Sequence, residues 1–309
     1  MAAPAQDDFQ ARRRQLLALA YQMLGELAAA EDIVQEAWLR WNAAERAQIR
    51  SPDAWLTSVV TRLSIDQLRS ARARRESYTG TWLPEPIVET GFATEPSACL
   101  EVAQECELAL LWALERLNEV ERAAFLLRQV FDTQYSEIAR VLGRSEAACR
   151  QLVSRAARRV REATPRYSSS AEELEQAMVA FAEAAAAGDR EAVLAMLAPD
   201  VVAVSDGGGV VRAALIPLEG PQRVAQVFTH IASKARREGE QQQLPPAQIR
   251  RVNGRPAFVA LNGTQQDMIM TLRTDAAGRI SWIYMLRNPH KLAASSAGWR
   301  PAGAGHKQV

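Results

Sequence analysis

The segment from Tyr135 to Arg161, YSEIARVLGRSEAACRQLVSRAARRVR, is compatible with very few folds. Ile138, Ala139 and Leu142 form one short apolar face, and Gly143 supplies a residue able to take the positive φ that ends a helix. Ser145 then suits the N-cap of a second helix, whose Ala148, Leu152 and Ala156 recur at a helical spacing. The small Ala139 lets two helices cross closely. On the outer face Arg144, Arg150, Arg155, Arg158, Arg159 and Arg161 stand against one carboxylate, Glu146. The pattern predicts a helix-turn-helix whose second helix suits a major groove, with residues near its N-terminus reaching bases and its arginines holding phosphates. A solvated amphipathic helix in an ordinary α-hairpin is the alternative. Turn glycine, cap, small residue and one-sided charge coincide here, and that coincidence favours DNA binding.

A length of 309 residues predicts two or three domains. The net charge is only +1, so a basic surface has to be local and offset elsewhere. Lysine occurs only at Lys234, Lys291 and Lys307; every other basic residue, histidine aside, is arginine. The arginine fork suits phosphate and guanine, although a GC-rich genome produces the same bias. No N-terminal run resembles a signal peptide and no 18-residue apolar run would span a membrane, so a cytoplasmic protein with no membrane partner is expected. Cys99, Cys106 and Cys149 form no CxxC or Cys/His cluster. Reduced thiols, no metal and no cofactor are expected.

Residues 9 to 75 read as wholly helical. Leu16, Leu17, Ala20, Tyr21 and Leu24 make one apolar stripe, and Ile33, Ala37 and Trp41, with Val34 and Trp38, make another. Ser51-Pro52-Asp53 is a strong helix start, and the helix it opens is expected to turn Trp55, Val59 and Leu63 inward. Residues 76 to 107, with Gly80, Pro84, Pro86, Gly91 and Pro96, read as a linker before helix resumes near Leu108. Beyond Pro165 and Ser168-Ser169-Ser170 the chain changes character. Helices over about 172 to 187, 190 to 197 and 221 to 236 surround the apolar run 201 to 205 and precede strand-like runs at 257–261, 268–273 and 280–286. Helices followed by a strand-rich tail predict a separate α+β domain.

The helix opened by Ser51 ends in a basic tract, Arg62, Arg69, Arg72, Arg74 and Arg75, with Asp66 its only acid. Upstream, AAEDIVQEAWLRW presents Glu31, Asp32, Gln35 and Glu36 on one face. Alone, that acidic face reads as solvated. Beside two basic helices it becomes a candidate protein-docking surface. A linker of about 30 residues spans roughly 100 Å at most, enough to set one basic helix on each of two separated DNA elements.

Helix 31–41, the tract SPDAWLTSVVTRLSIDQLRSARARRE and segment 135–161 closely resemble regions 2 and 4 of sigma-70-type initiation factors, in the extracytoplasmic-function group. The resemblance implies a multidomain chain of two all-α domains followed by an α+β domain. Region 2 covers 1–76, a linker 77–107, region 4 108–166, the C-terminal domain 172–292, and a disordered tail 293–309. It implies that Asp32, Gln35 and Glu36 dock on the clamp helices of the largest subunit of core RNA polymerase. Arg62, Asp66, Arg69 and Arg72 would lie at the −10 element of promoter DNA. Arg144, Ser145, Glu146, Arg150, Gln151 and Arg155 would lie at the −35 element. A subgroup of the family carries a SnoaL-like C-terminal cone marked by three motifs. WLPEP is intact as Trp82, Leu83, Pro84, Glu85 and Pro86. DGGGK appears as Asp206, Gly207, Gly208 and Gly209 followed by Val210, without its lysine. NPDKL appears as Asn288, Pro289, His290, Lys291 and Leu292, with histidine for aspartate. Any salt bridge the family makes through that lysine or aspartate is expected to be missing.

The C-terminal domain admits two readings: a built-in regulator of promoter binding, or a cone holding a small ligand or substrate. Acid/base chemistry would need paired titratable groups in a pocket. Asp206, His230, Asp267 and His290 are the candidates, and no spacing forces them together. The glycine run is not a phosphate loop, since no GK[ST] follows, and its glycines read equally as hairpin-turn residues. WLPEP sits in the linker while the other two motifs sit in the appended domain, so the strip, the 206–209 turn and the 288–292 loop are expected to meet. The expectation is therefore a non-enzymatic sigma factor with regulation built into its own chain, requiring no separate anti-sigma factor. The competing expectation is a helix-turn-helix regulator with a ligand-sensing domain that does not join polymerase. Cys149, on the inner side of the second helix, reads as a packing residue rather than a redox sensor.

Overall fold

A computed structural model describes residues 4–76, 78–89, 101–102, 106–163, 169–242, 247–261, 263 and 267–295. The chain divides into two compact units, Met1–Ser77 with Ala93–Thr164, and Tyr78–Phe92 with Pro165–Val309.

The described part of the first unit is helical: α1 (Pro4–Leu24), α2 (Leu27–Ala43), α3 (Pro52–Glu76), α4 (Leu108–Leu114), α5 (Glu119–Gln129), α6 (Tyr135–Leu142) and α7 (Glu146–Ala163). Leu16, Leu17, Ala20, Tyr21 and Leu24 of α1 and Ile33, Val34, Ala37 and Trp41 of α2 are buried as expected, whereas Trp38 is only half-buried, its ring 4.9 Å from that of Phe9. Burying each such large side chain contributes about 1.5–3 kcal/mol. In α3 the buried arc is displaced from the expected one. Leu56, Val60, Ile65 and Leu68 are buried with Thr61 and Ser64, whereas Trp55, Val59 and Leu63 are only half-buried. The cause is a helix packed against α1, α2 and α5 at once, which leaves Trp55 at the rim, its ring 5.5 Å from that of Trp41.

Local signals build the helix-turn-helix. Asn118 and Glu121 form a reciprocal capping box at the start of α5. Gly143 ends α6 at φ 63°, and the Ser145 hydroxyl accepts from the Ala148 amide at 3.2 Å to start α7. Cys149, Leu152, Val153, Ala156 and Val160 are the buried face of α7, and Cys149 packs with Leu127 and Ile138.

The second unit holds α8 (Ala171–Ala187), α9 (Arg190–Met196), α10 (Pro221–Gln242) and α11 (Pro289–Ser295) with six strands. These are β1 (Leu197–Asp206), β2 (Leu218–Glu219), β3 (Gln248–Val252), β4 (Arg255–Ala260), β5 (Met268–Thr274) and β6 (Ile280–Leu286). They form one sheet in the order β2-β1-β6-β5-β4-β3, antiparallel except for the β1–β6 pair. Leu174, Met178 and Phe181 of α8 and Phe228 of α10 pack with Ala203, Ile283 and Met285 on one sheet face. By strand alternation Trp282, Tyr284 and Leu286 belong to the other face, and they too are buried.

Two strands and a helix escape a periodicity reading. β2 is two residues long, and β3 is an edge strand that exposes Arg250 and Arg251. The β3–β4 turn is an Asn-Gly hairpin with both Asn253 and Gly254 at positive φ. The tail expected from residue 293 instead continues α11 to Ser295, because Asn288 and Pro289 nucleate a helix there; 296–309 lie outside the described residues.

Thr61 is fully buried on α3, and its hydroxyl has no hydrogen-bond partner among the described residues. Thr61→Val should therefore be neutral or stabilise the first unit by about 1 kcal/mol in urea unfolding, since it removes an unpaired buried oxygen at constant shape.

Candidate functional site

Three surfaces of the first unit carry the predicted residues. On α2, Asp32 and Gln35 are exposed and Glu36 is half-exposed, bonding Arg40 at 2.8 Å one turn on. The same stripe continues to Leu39, 56% exposed, a large apolar side chain at the centre of a charged face. Periodicity analysis passes over Leu39 because it is adjacent in sequence to the buried face. Its signal is its position, four residues after Gln35 on the acidic stripe.

On α3, Arg62 and Arg69 are turned toward the helix-turn-helix half of the same unit. Arg62 donates to the backbone carbonyls of Val141 at 3.3 Å and Arg140 at 3.2 Å, at the C-terminal end of α6 where carbonyls lack helical partners. Arg69 donates to Glu119 at 3.1 Å and lies 3.8 Å from Asp66, itself exposed. Arg72 is on α3, but its side chain lies outside the described residues. The basic end of α3 and the helix-turn-helix thus adjoin.

Arg144 and Ser145 just before α7, and Glu146, Arg150, Gln151 and Arg155 in its first turns, are all exposed. Arg150 bonds Glu146 at 3.0 Å and lies over the Tyr135 ring, 4.9 Å from its centroid. Such exposed pairs are worth under ~1 kcal/mol and exchange readily for phosphate. Cys149 beneath them is buried, and burial pushes its thiol up, partly offset by Arg144. A thiol held protonated is a packing residue and a poor redox sensor. Cys106 is likewise buried, and Cys99 lies outside the described residues.

In the second unit, residues 78–89 form an extended strap across the sheet face that carries Tyr284. Its centre is the Asp206 carboxylate at the end of β1, fully buried and met by four donors. One oxygen accepts from the Tyr78 hydroxyl and from the Gly208 amide at 2.8 Å. The other accepts from the Leu83 amide at 3.1 Å and from Lys291 Nζ at 2.7 Å. Lys291 also donates to the Leu83 carbonyl and lies over the rings of Trp82, at 4.0 Å, and Tyr78, at 5.3 Å. Asn288 donates to the Tyr78 hydroxyl at 2.7 Å, and its side-chain oxygen receives the His290 amide at 3.0 Å. Further along, Tyr284 donates to the Pro84 carbonyl at 2.6 Å, and Ile87 exchanges bonds with Asn253 at 2.9 and 3.0 Å. Val88 then bridges Val252 on the edge strand β3.

This geometry brings the strip 82–86, the turn 206–209 and the loop 288–292 together. Gly207 and Gly208 do more than permit a turn. A Cβ on Gly207 would fall 1.9 Å from the Val211 carbonyl, and one on Gly208 within 2.7 Å of the Asn288 side chain. Both departures from the motifs fall outside the clasp: Val210 is 63% exposed and His290 is exposed, while the ion pair is made by Lys291. Pro289 is half-buried at the start of α11, and Leu292 is buried behind Lys291.

The titratable candidates do not assemble into a reaction site. Asp206 is committed to the clasp, Asp267 accepts from the Gly263 amide, and His230 is exposed on α10. Among the described residues no cluster of histidine, cysteine or carboxylate has the grouping of a metal site, and no helix is long and apolar enough to cross a membrane.

Residues 9–74 match the family described as Sigma-70 region 2, and residues 107–160 match Sigma-70, region 4. The chain is 42% identical over 228 residues to the ECF RNA polymerase sigma factor SigJ of Mycobacterium tuberculosis, covering 74% of this chain and 73% of that one. It is 32% identical over 295 residues to the probable ECF RNA polymerase sigma factor SigI of the same organism, covering 94% and 95% of the two chains. The fold matches the crystal structure of M. tuberculosis SigJ with a TM-score of 0.72 at 35% identity, over 94% of this chain and 98% of that one.

Lys291→Met in the full chain should cost the second unit about 3–5 kcal/mol, because it strands a buried carboxylate. The pair Asp206→Asn with Lys291→Met should cost less than the sum of the single changes. Denaturant unfolding followed by circular dichroism measures both.

Proposed function

The chain belongs to the extracytoplasmic-function RNA polymerase sigma factors, and from that premise we propose which of its surfaces does which part of the work. Sigma factors bind core RNA polymerase and promoter DNA and direct promoter-specific initiation; they are not enzymes, and the polymerase supplies the chemistry. The observation that carries the residue assignment is the coexistence of two unlike exposed surfaces on one helical unit, the acidic face of α2 and the arginine-rich N-terminal turns of α7.

Asp32, Gln35 and Glu36 dock on the clamp helices of the largest polymerase subunit, where carboxylates meet a basic partner and Leu39 supplies apolar area at the centre of the contact. Arg62, Asp66, Arg69 and Arg72 serve the −10 element. Arg62 and Arg69 are held by the helix-turn-helix half in the free chain, so promoter engagement exchanges those bonds for phosphates. Arg144, Ser145, Glu146, Arg150, Gln151 and Arg155 serve the −35 element through α7 lying in the major groove. The second unit regulates in cis, since its strap is the stretch of chain that joins the two readers. The protein works in the cytoplasm, where polymerase and promoter are.

Asp32→Lys with Glu36→Lys should lower affinity for core polymerase at least about a hundredfold, two removed charge pairs at ~1.5 kcal/mol or more each, in a binding titration. Binding of the isolated factor to −35 DNA should stay unchanged. Core binding equal to that of the parent chain would overturn the assignment. Arg155→Ala should weaken DNA binding about equally across promoter sequences and reduce the salt slope of log K by about 1, read from filter binding at several salt concentrations.

A further inference from the structure

Residues 78–89 lie in the second unit the way a bound peptide lies in a receptor. The segment is extended and contains no helix or strand. Its backbone is read group by group by the rest of the unit. The Leu83 amide and carbonyl meet Asp206 and Lys291, and the Pro84 carbonyl accepts from the Tyr284 hydroxyl. Ile87 exchanges both its groups with Asn253, and the Glu89 amide donates to the Arg251 carbonyl at 2.9 Å. Side chains add a sequence requirement: Trp82 lies under Lys291 Nζ at 4.0 Å, and Leu83 through Val88 are buried. Pro84 and Pro86 bring no amide hydrogen into that buried run, and their fixed φ prepares it for an extended path.

Main-chain bonds that supply affinity, with pockets that choose side chains, are the two halves of extended-peptide recognition. We propose that the second unit is a peptide-recognition module for the segment Trp-Leu-Pro-Glu-Pro-Ile-Val, and that its partner in trans is the strap of a second copy of this chain. In a single chain the groove is filled in cis, where the attached strap has an effective concentration of about 1 mM or more. Free peptide at lower concentration therefore does not enter. A second copy is the occupant the contacts fit, because it carries the same segment. When two chains exchange straps reciprocally each groove is refilled, and every bond of the cis strap is made again across the pair.

The clasp makes an empty groove unfavourable. Without a strap the buried Asp206 carboxylate loses the Tyr78 and Leu83 donors, and such a charge is costly to leave half-satisfied. A loosened cis strap therefore favours exchange with a second chain over vacancy. Trp82 and Ile87 anchor the strap near the two ends of its buried run. Tyr284 and Asn253 are the groove residues that meet it through uncharged hydrogen bonds. These two sets can be weakened separately, one in the ligand and one in the receptor.

The test uses full-length chains. A receptor, Trp82→Ala with Ile87→Ala, weakens the cis strap and keeps the whole groove. A donor, Tyr284→Phe with Asn253→Gly, weakens the groove without stranding a charge and keeps the whole strap. A labelled peptide of residues 78–89 is titrated by fluorescence anisotropy. It should bind the receptor at least about tenfold more tightly than the parent chain, whose own strap competes. Adding Tyr284→Phe to the receptor removes one main-chain bond and should weaken peptide binding about fivefold. Receptor and donor mixed at about 50 µM should form a one-to-one dimer in sedimentation, while each alone stays monomeric. Circular dichroism checks that each chain is folded, and Trp82→Ala alone replaces the receptor if the double change unfolds it. A folded receptor that binds the peptide no better than the parent, or equally well with Tyr284→Phe, would overturn the module. Peptide binding with receptor and donor remaining monomers would overturn the second copy as its occupant. Neither DNA nor polymerase enters, so failure leaves the promoter-reading assignment untouched.

Discussion

The second unit is organised around one buried carboxylate. Asp206 sits at the end of the strand that pairs in parallel with β6, and its four donors come from the strap, the glycine turn and the first turn of α11. A carboxylate in that position costs several kcal/mol to desolvate unless every lone pair is filled. Each donor is therefore a condition on the others. Leu83 has to run close enough to offer its amide, Gly208 has to approach Asn288 without a Cβ between, and Lys291 has to reach back across Trp82. The apolar face behind Tyr284 is covered along the same path, so the ion pair and the hydrophobic burial favour the same conformation of the strap.

The first unit rests on different physics. Its core is aliphatic and aromatic, its helix ends are closed by side chains from the adjoining sequence, and its charges are mostly at the surface. That division leaves the N-terminal half of α7 with few structural duties, since Arg150 makes an exposed pair with Glu146 that water screens well and otherwise lies over the Tyr135 ring. Arg62 and Arg69 are engaged differently. They sit at the carbonyl end of α6 and at Glu119 of α5, where backbone carbonyls and a carboxylate accept their hydrogen bonds.

Much of this was legible beforehand, for reasons that can be named residue by residue. Gly143, Ser145 and the arginine stripe are local signals, and each acts through its own backbone or its nearest turn. The failures are equally specific. The buried arc of α3 is displaced from Trp55, Val59 and Leu63 because several neighbouring helices, not one, determine which side is covered. β3 is not among the expected strand-like runs because an edge strand with two exposed arginines shows no apolar period. The missing lysine and aspartate of the C-terminal motifs looked consequential, yet Val210 and His290 are both exposed and the clasp closes without them.

The sequence by itself determined the helix-turn-helix, the acidic and basic helices, the change from helical to mixed α and β structure, and the family to which these belong. All of these are encoded in spacings of four residues or fewer, in caps, or in short contiguous motifs. The short motifs led to the expectation that 82–86 meets the 206–209 turn and the 288–292 loop. What only the tertiary structure decided is that the whole stretch 78–89 belongs to the second unit, and which groups hold it there. The reason is range. Tyr78 and Leu83 meet Asp206 across more than a hundred residues, and Pro84 meets Tyr284 across 200. No periodicity within the strap can report a partner so distant, because the strap's conformation is held by hydrogen bonds to the sheet and not by its own.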